Sequence, residues 1–395
     1  MNEVQQTPTA ERSDAAAAVF VFAGGGTGGH IYPGIAIAEA LRRARPGVRC
    51  VFVCSNRPLD AKILTEERQE FTVSPAMPLA VRPRGLLKFL SSWGPSVRQT
   101  RQLLRTLGPG ARVVAMGGFV AAPSVQAARA MRRRVTLVNL DAIPGKANRW
   151  IARHAERVFS TSTIRAERPE RFGAWRVVPP IVREKARWVA DPTVEVASGG
   201  ASRSSARAAL GLDPERPVLM VTGGSQGARS LNAFVAAFFE AAPHASLARQ
   251  WQVLHQTGKG EAEAVRAAYE RAGVRALVLE FVSPMSPWWG AADLCVARAG
   301  AGNVAEAWAN AVPTLFLPYP YHRDEHQRFN ALTLVEAGAC RMVKDLIDPV
   351  ANLTSAGAEL ERFMAPESLA SARAAFRNLG PADGAEQIAR ALLDG

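Results

Sequence analysis

The sequence predicts an α/β protein of two Rossmann-like domains, each a doubly wound parallel sheet, facing one another across a cleft. Three observations carry that expectation. The apolar, aromatic and β-branched run Val19–Ala23 stops at Gly24-Gly25-Gly26-Thr27-Gly28-Gly29-His30, with five glycines in six positions, before the helical pattern Ile35, Ile37, Ala38, Leu41. Val218–Thr222 stops in the same way at Gly223-Gly224-Ser225-Gln226-Gly227, again before a helical run. Each strand–glycine–helix opening heads its own alternation of strand-like and helix-like segments, the pattern of βαβ units in a parallel sheet.

Taken in order, residues 1–14 are polar and read as a disordered tail. The first strand falls within Ala15–Phe22, and no basic n-region precedes it to make a signal peptide. Pro33-Gly34 reads as the opening of the first helix, and Val48–Val53, between Pro46-Gly47 and Ser55-Asn56, as the second strand. Further strands are expected at Arg112–Met116, Val135–Asn139, Arg157–Ser160 and Arg176–Val178, with helical character at Ser124–Met131 and Ala147–His154. Pro179-Pro180 ends a first domain of residues 15–182. Residues 183–206 carry Asp191-Pro192, Ser198-Gly199-Gly200 and several serines, and read as a loose linker. A second domain, residues 207–365, has strands at Val218–Thr222, Gln252–His255, Ala276–Val282, Leu294–Ala297 and Thr314–Leu317. Its helices are expected at Arg229–Glu240, Glu261–Arg271, Ala301–Asn310 and Glu325–Ala337. Residues 366–395 show no strand signal and read as two helices packing back toward the first domain.

Composition narrows the function. A chain of 395 residues with 48% hydrophobic and 21% charged residues suits two full-sized cores, not a disordered protein. The net charge of +13 points to an anionic membrane surface, a phosphate-rich substrate or simply an arginine-rich genome. No aromatic-interleaved RNA motif or zinc spacing supports nucleic acid. The four cysteines, Cys50, Cys54, Cys295 and Cys340, form no C-x-x-C pair and suit buried thiols in a reducing cytoplasm. No apolar run reaches the length of a membrane span, so membrane work would be peripheral. One segment fits such work: Leu86, Leu87, Phe89, Leu90 and Trp93 are interleaved with Arg82, Arg84 and Lys88. Apolar anchors among cations suit shallow insertion into anionic lipid. A core helix with solvated arginines fits the same pattern.

Three polar turns carry the chemistry. The loop Gly26, Thr27, Gly28, Gly29 opens a helix and offers backbone N–H groups to an anion or sugar, with the titratable His30 at its exit. A structural histidine bonded to its own loop is the plainer alternative. The second loop adds Ser225 and Gln226 to its backbone donors and can hold a diphosphate without a metal, with Arg183 and Arg229 as extra charge. No Asp-x-Asp, the usual carboxylate clamp for a metal–nucleotide pair, occurs in the chain, and no tightly bound metal or other cofactor is expected. The third turn runs from Arg298 through Ala301 to Glu306, a carboxylate placed to take ribose hydroxyls, and His326, Gln327 and Asn330 follow on a helix after the Thr314–Leu317 strand.

These motifs, in this order, resemble glycosyltransferase family 28, and within it the MurG-type enzymes that convert lipid I to lipid II in peptidoglycan synthesis. The similarity runs from about Phe20 to about Val343. It implies a GT-B fold, UDP-GlcNAc as donor in the second domain, an undecaprenyl-diphosphate-linked acceptor near the first glycine loop, and peripheral attachment to the cytoplasmic face of the inner membrane. By position, Arg183, Ser225 and Gln226 fall on the donor-phosphate side. Val282 falls on a backbone uracil contact, Ala301 and Glu306 on the ribose turn, and His326 and Gln327 on a sugar-reading pair. Asn148 belongs to the Pro-Gly-x-x-Asn-Arg motif. The chain departs from the family at Asn139-Leu140-Asp141-Ala142, where His-Glu-Gln-Asn is usual. Phe119 replaces a common Tyr, and Pro180 a common Asn.

The expected reaction is inverting transfer of GlcNAc with His30 as general base. Three alternatives stand beside it: a UDP-sugar transferase with another lipid acceptor, an NADP-dependent oxidoreductase using Gly24–Gly29 and Arg57, and a donor-binding scaffold without turnover.

Overall fold

The computed structural model describes residues 18–26, 28–79, 82–164, 175–188, 201–224, 227–322 and 324–394. The polar stretch 1–14 and positions Thr27, Ser225 and Gln226 therefore lie outside the described residues.

β1 (Val19–Gly24) sits inside a seven-stranded sheet with β2 (Arg49–Cys54), β3 (Glu70–Val73), β4 (Arg112–Gly117), β5 (Val135–Asn139), β6 (Arg157–Ser160) and β7 (Arg176–Val177). The order is β3-β2-β1-β4-β5-β6-β7 and every pair is parallel. A second, six-stranded parallel sheet comprises β8 (Val218–Thr222), β9 (Gln252–Gln256), β10 (Arg275–Leu279), β11 (Leu294–Ala297), β12 (Thr314–Phe316) and β13 (Arg341–Met342). Its order is β10-β9-β8-β11-β12-β13. In both sheets the order reverses beside the strand that carries the glycine loop, β1 or β8. Crossovers leave such a point toward opposite faces and open a crevice at the carboxyl ends of the strands. The site is positioned by that topology.

Burial follows from strands apolar on both faces. Phe20, Val21, Phe22 and Ala23 are all buried, and Phe22 stacks on Phe52 of β2 with ring centroids 5.1 Å apart. Helix Gly28–Ala44 lays Ile31, Ile35 and Leu41 on this layer. The helix begins at Gly28, ahead of the Pro33-Gly34 opening that the sequence pattern gives, and Pro33 lies inside it. His30 is therefore in a first helical turn and not in a loop. All four cysteines are buried and unpaired.

Residues 201–206 depart from the linker expectation. They form the start of helix Ala201–Ala209, which packs on helix Ser286–Ala291. Arg207 Nη2 lies 2.5 Å from Asp293 Oδ2, and Asp293 also accepts from Val218 N–H at 2.8 Å. A serine-rich composition resembles a linker, but Ala206 is buried and Arg207 is paired. Helix Pro366–Leu379 packs on the second domain through Leu369, Ala372 and Phe376. The chain then crosses back, and helix Gly384–Leu393 places Ala385, Ile388, Ala389 and Leu392 in the first domain's core, against helix Gly28–Ala44. Gly384 donates to Pro180 O at 3.2 Å where the two crossings meet. Among the described residues, no helix is long and apolar enough to cross a membrane.

Candidate active site

On the first-domain side, a buried carboxylate fixes the glycine loop. Asp60, fully buried on helix Pro58–Glu66, accepts through Oδ2 from Gly26 N–H at 2.7 Å, Ser55 N–H at 3.1 Å and Ser55 Oγ at 2.5 Å. Arg57 donates to Gly26 O, and its guanidinium lies 5.9 Å from the Phe119 ring centroid. Gly26 thus has both of its backbone groups bonded within the protein. Arg57 likewise holds the loop.

His30 rests on the turn after β4. Gly117 and Gly118 both have positive φ, 96° and 76°. A Cβ on Gly117 would stand 3.3 Å from His30 Cδ2, and one on Gly118 would stand 2.8 Å from Gly25 O. Both positions need glycine, for conformation and for the close approach of the imidazole. Burial lowers the His30 pKa below its ordinary value, while the carboxylates of Asp141 and Asp60 oppose that shift. The lowered pKa favours the neutral imidazole. His255 shows the other fate of a buried histidine. Its ring is enclosed between Tyr269 OH at 2.7 Å and Asn232 Oδ1 at 3.0 Å, and burial pushes its pKa down to about 3.

The second-domain side is built on the β8, β11 and β12 ends. Trp289 Nε1 donates to Glu306 Oε2 at 2.7 Å, which aims a carboxylate on helix Ala301–Ala309 at the cleft. Burial raises the Glu306 pKa, against the indole hydrogen bond and the Arg183 charge. Arg298 Nη1 pairs with the buried Asp345 Oδ2 at 2.7 Å and donates to Leu317 O at 2.9 Å, tying the β11 and β12 ends together.

A cavity of about 380 Å³ lies between the two sides. Of the residues predicted from sequence, Gly28, Gly29, His30, Arg183, Val282, Ala301, Glu306 and Gln327 line it. Arg183 reaches it while donating to Glu67 Oε1 at 2.9 Å and stacking 3.7 Å above the Tyr32 ring. Gln327 Oε1 accepts from Tyr319 N–H at 2.9 Å. His326 is not among the lining residues; its Nδ1 lies 2.9 Å from Asp324 Oδ1. Asn148 stands behind Gly117, donating to Asn139 Oδ1 at 2.9 Å. Arg229 pairs with Glu261 at 2.9 Å, away from the cavity. Sequence reading missed Asp60, Asp141 and Trp289, which carry no motif of their own. A larger recess of about 530 Å³, lined by Arg129, Arg132, Arg133, Arg134 and Arg153, sits at the amino ends of β5 and β6. It has no glycine loop and lies at the wrong end of the strands for this architecture.

A neutral imidazole facing a carboxylate-bearing turn and a glycine loop across one cavity suits group transfer between a hydroxyl and a phosphorylated sugar. The chain matches the glycosyltransferase family 28 N-terminal domain over residues 20–160 and the family's C-terminal domain over residues 218–388. It is 37% identical over 383 residues to the UDP-N-acetylglucosamine–N-acetylmuramyl-(pentapeptide) pyrophosphoryl-undecaprenol N-acetylglucosamine transferase of Nocardioides sp., covering 95% of this chain and 97% of that one. The enzyme of the same name from Pelobacter propionicus is 34% identical, over 82% of this chain and 86% of its own. Among solved structures, Acinetobacter baumannii MurG superposes with a TM-score of 0.68 at 22% identity, covering 96% of this chain and all (100%) of that one, a likeness of fold. With both domain models of the family matched in order and a relative 37% identical over 95% of the chain, the chain belongs to glycosyltransferase family 28.

Proposed function

We propose that the protein transfers GlcNAc from UDP-GlcNAc to the lipid-linked MurNAc-pentapeptide acceptor, lipid I, giving lipid II with inversion at the anomeric carbon. The observation that carries the reading is the single cavity that has His30 on one wall and Glu306 on the other. Glu306 binds the ribose hydroxyls, and the diphosphate, where negative charge grows as UDP leaves, lies against the glycine turn that follows β8 and lines the cavity with Gly223 and Gly224. The acceptor hydroxyl gives its proton to His30, its oxygen bonds to the anomeric carbon, and the bond from that carbon to the diphosphate oxygen breaks. UDP takes the electron pair, and the proton passes from His30 to solvent. Measuring UDP release from UDP-GlcNAc with and without a lipid I analogue tests this. Release should require the acceptor, and equal rates without it would sink the assignment.

The donor half has its own test. Glu306→Ala should weaken UDP binding by roughly 1–3 kcal/mol, the scale of lost hydrogen bonds to a charged group. Unchanged affinity by calorimetry in a folded variant would remove Glu306 from the site.

The membrane half rests on helix Pro83–Thr106. Leu86, Leu87 and Leu90 are 41%, 66% and 58% exposed, beside the exposed cations Arg82, Arg84 and Lys88. Phe89 and Trp93 are half-buried, and Trp93 packs on the first domain and donates to Gln126. The apolar–basic segment therefore divides into a lipid-facing trio and an inward-facing pair. We infer peripheral attachment to the cytoplasmic face of the inner membrane through that trio, with arginines meeting anionic lipid. Changing Leu86, Leu87 and Leu90 together to serine should reduce sedimentation with anionic vesicles and leave UDP affinity alone. Each leucine contributes at most about 1.5–3 kcal/mol, less at an interface. Undiminished vesicle binding would move the contact elsewhere.

A further inference from the structure

The acceptor side of the cavity holds a carboxylate that no motif assigns. Asp141 follows β5 and lines the same cavity as His30. Its side chain is held from across the cleft. Asn330, on helix His326–Glu336, donates through Nδ2 to Asp141 Oδ1 at 2.9 Å and accepts from Ala142 N–H at 2.8 Å. Its backbone is held from its own domain, where Asn139 Nδ2 donates to Asp141 O at 2.6 Å and Asn148 Nδ2 donates to Asn139 Oδ1 at 2.9 Å. Asn148 links this chain of amides to His30, because both abut Gly117. The point a Gly117 Cβ would occupy is 2.9 Å from Asn148 Oδ1 and 3.3 Å from His30 Cδ2.

We propose that Asp141 is a positioning residue for His30, orienting the imidazole toward the acceptor hydroxyl and stabilising the imidazolium formed when the proton arrives. The inference rests on the reading of His30 as general base. Burial alone makes an imidazole a poor base, and a fixed carboxylate restores part of its basicity. Asp141 does so here, with Asp60 assisting from helix Pro58–Glu66. From the second domain, His322 lies within electrostatic reach of Asp141, and His326 and Asp324 lie within reach of His322. The proton moves from the hydroxyl to His30 and then to solvent. Asn330 belongs to the opposite domain, so the Asp141 carboxylate is held by a contact that spans the cleft.

Asp141→Asn keeps the shape and removes the charge. The His30 imidazole, followed by its Cε1 proton resonance and assigned with His30→Gln, should then titrate at lower pH. The acid limb of kcat/KM should move to lower pH with it, kcat should fall at least about tenfold, and KM for UDP-GlcNAc should stay unchanged. Asn330→Ala, which releases the carboxylate without removing it, should move both in the same direction by less. An imidazole titration and acid limb that stay where they are in Asp141→Asn overturn the proposal, as does a shifted titration with full turnover. Full activity in His30→Ala would overturn the general-base reading itself, and the resonance titration tells the two failures apart.

Discussion

His30→Ala is expected to lower kcat by about 10²–10⁴-fold, the usual contribution of a positioned general base. UDP affinity should be nearly unchanged, because Val282, Glu306 and Gln327, the proposed donor contacts, line the opposite wall of the cavity. His30→Gln separates proton transfer from positioning, since glutamine keeps a hydrogen bond and cannot take the proton. Recovery of most activity in the glutamine variant would make His30 an acceptor-positioning group. The pH profile follows from the direction of the His30 shift. Burial holds its pKa below the ordinary value, so the acid limb of kcat/KM should fall below about pH 6.5. An acid limb well above that value would belong to another group.

Asp345→Ala should cost about 3–5 kcal/mol of stability, because it leaves the Arg298 guanidinium buried without its counter-charge. The Asp345 side chain is fully buried and Arg298 only 7% exposed. Asp345 also accepts from Ser230 Oγ at 2.6 Å, Asn352 Nδ2 at 2.9 Å and Ile347 N–H at 2.7 Å. Burial alone would raise its carboxyl; these donors, with Arg298, hold it below the ordinary value. A depressed carboxylate contributes its stability above the unfolded-state pKa and loses it as pH falls through the folded-state value. Denaturant unfolding at neutral pH should therefore show the full loss, and acidification should narrow the gap between variant and parent. A change below about 1 kcal/mol would mean that Arg298 finds other partners or water.

The two glycine loops and the central strands are legible in the sequence because a strand buried on both faces is a continuous apolar run bounded by turn residues. β3 and β13 lack that signal. Both are short edge strands, Glu70–Val73 and Arg341–Met342, and neither has a fully buried residue. The first helix is misplaced by its own glycines, since Gly28 and Gly29 read as turn although their backbone is helical. Within the site, residues inside motifs are legible and the groups that hold them are not. Asp60 reaches Gly26 across 34 residues, and Asn330 reaches Asp141 across 189. Such partners are chosen by the fold, and neither periodicity nor local spacing marks them.

The returning helix Gly384–Leu393 fixes an order of assembly during synthesis. The strands of the first sheet are all translated by Val177, yet one face of that sheet lacks Ala385, Ile388 and Leu392 until translation is nearly complete. At about 5–20 residues per second the nascent first domain waits roughly ten to forty seconds with apolar surface uncovered. The second domain has time to fold in that interval and to carry the last helix toward its docking face. Maturation of the wall that bears His30 is in this way coupled to the wall that bears Glu306, and a nascent chain released early leaves the ribosome without its acceptor-side core closed.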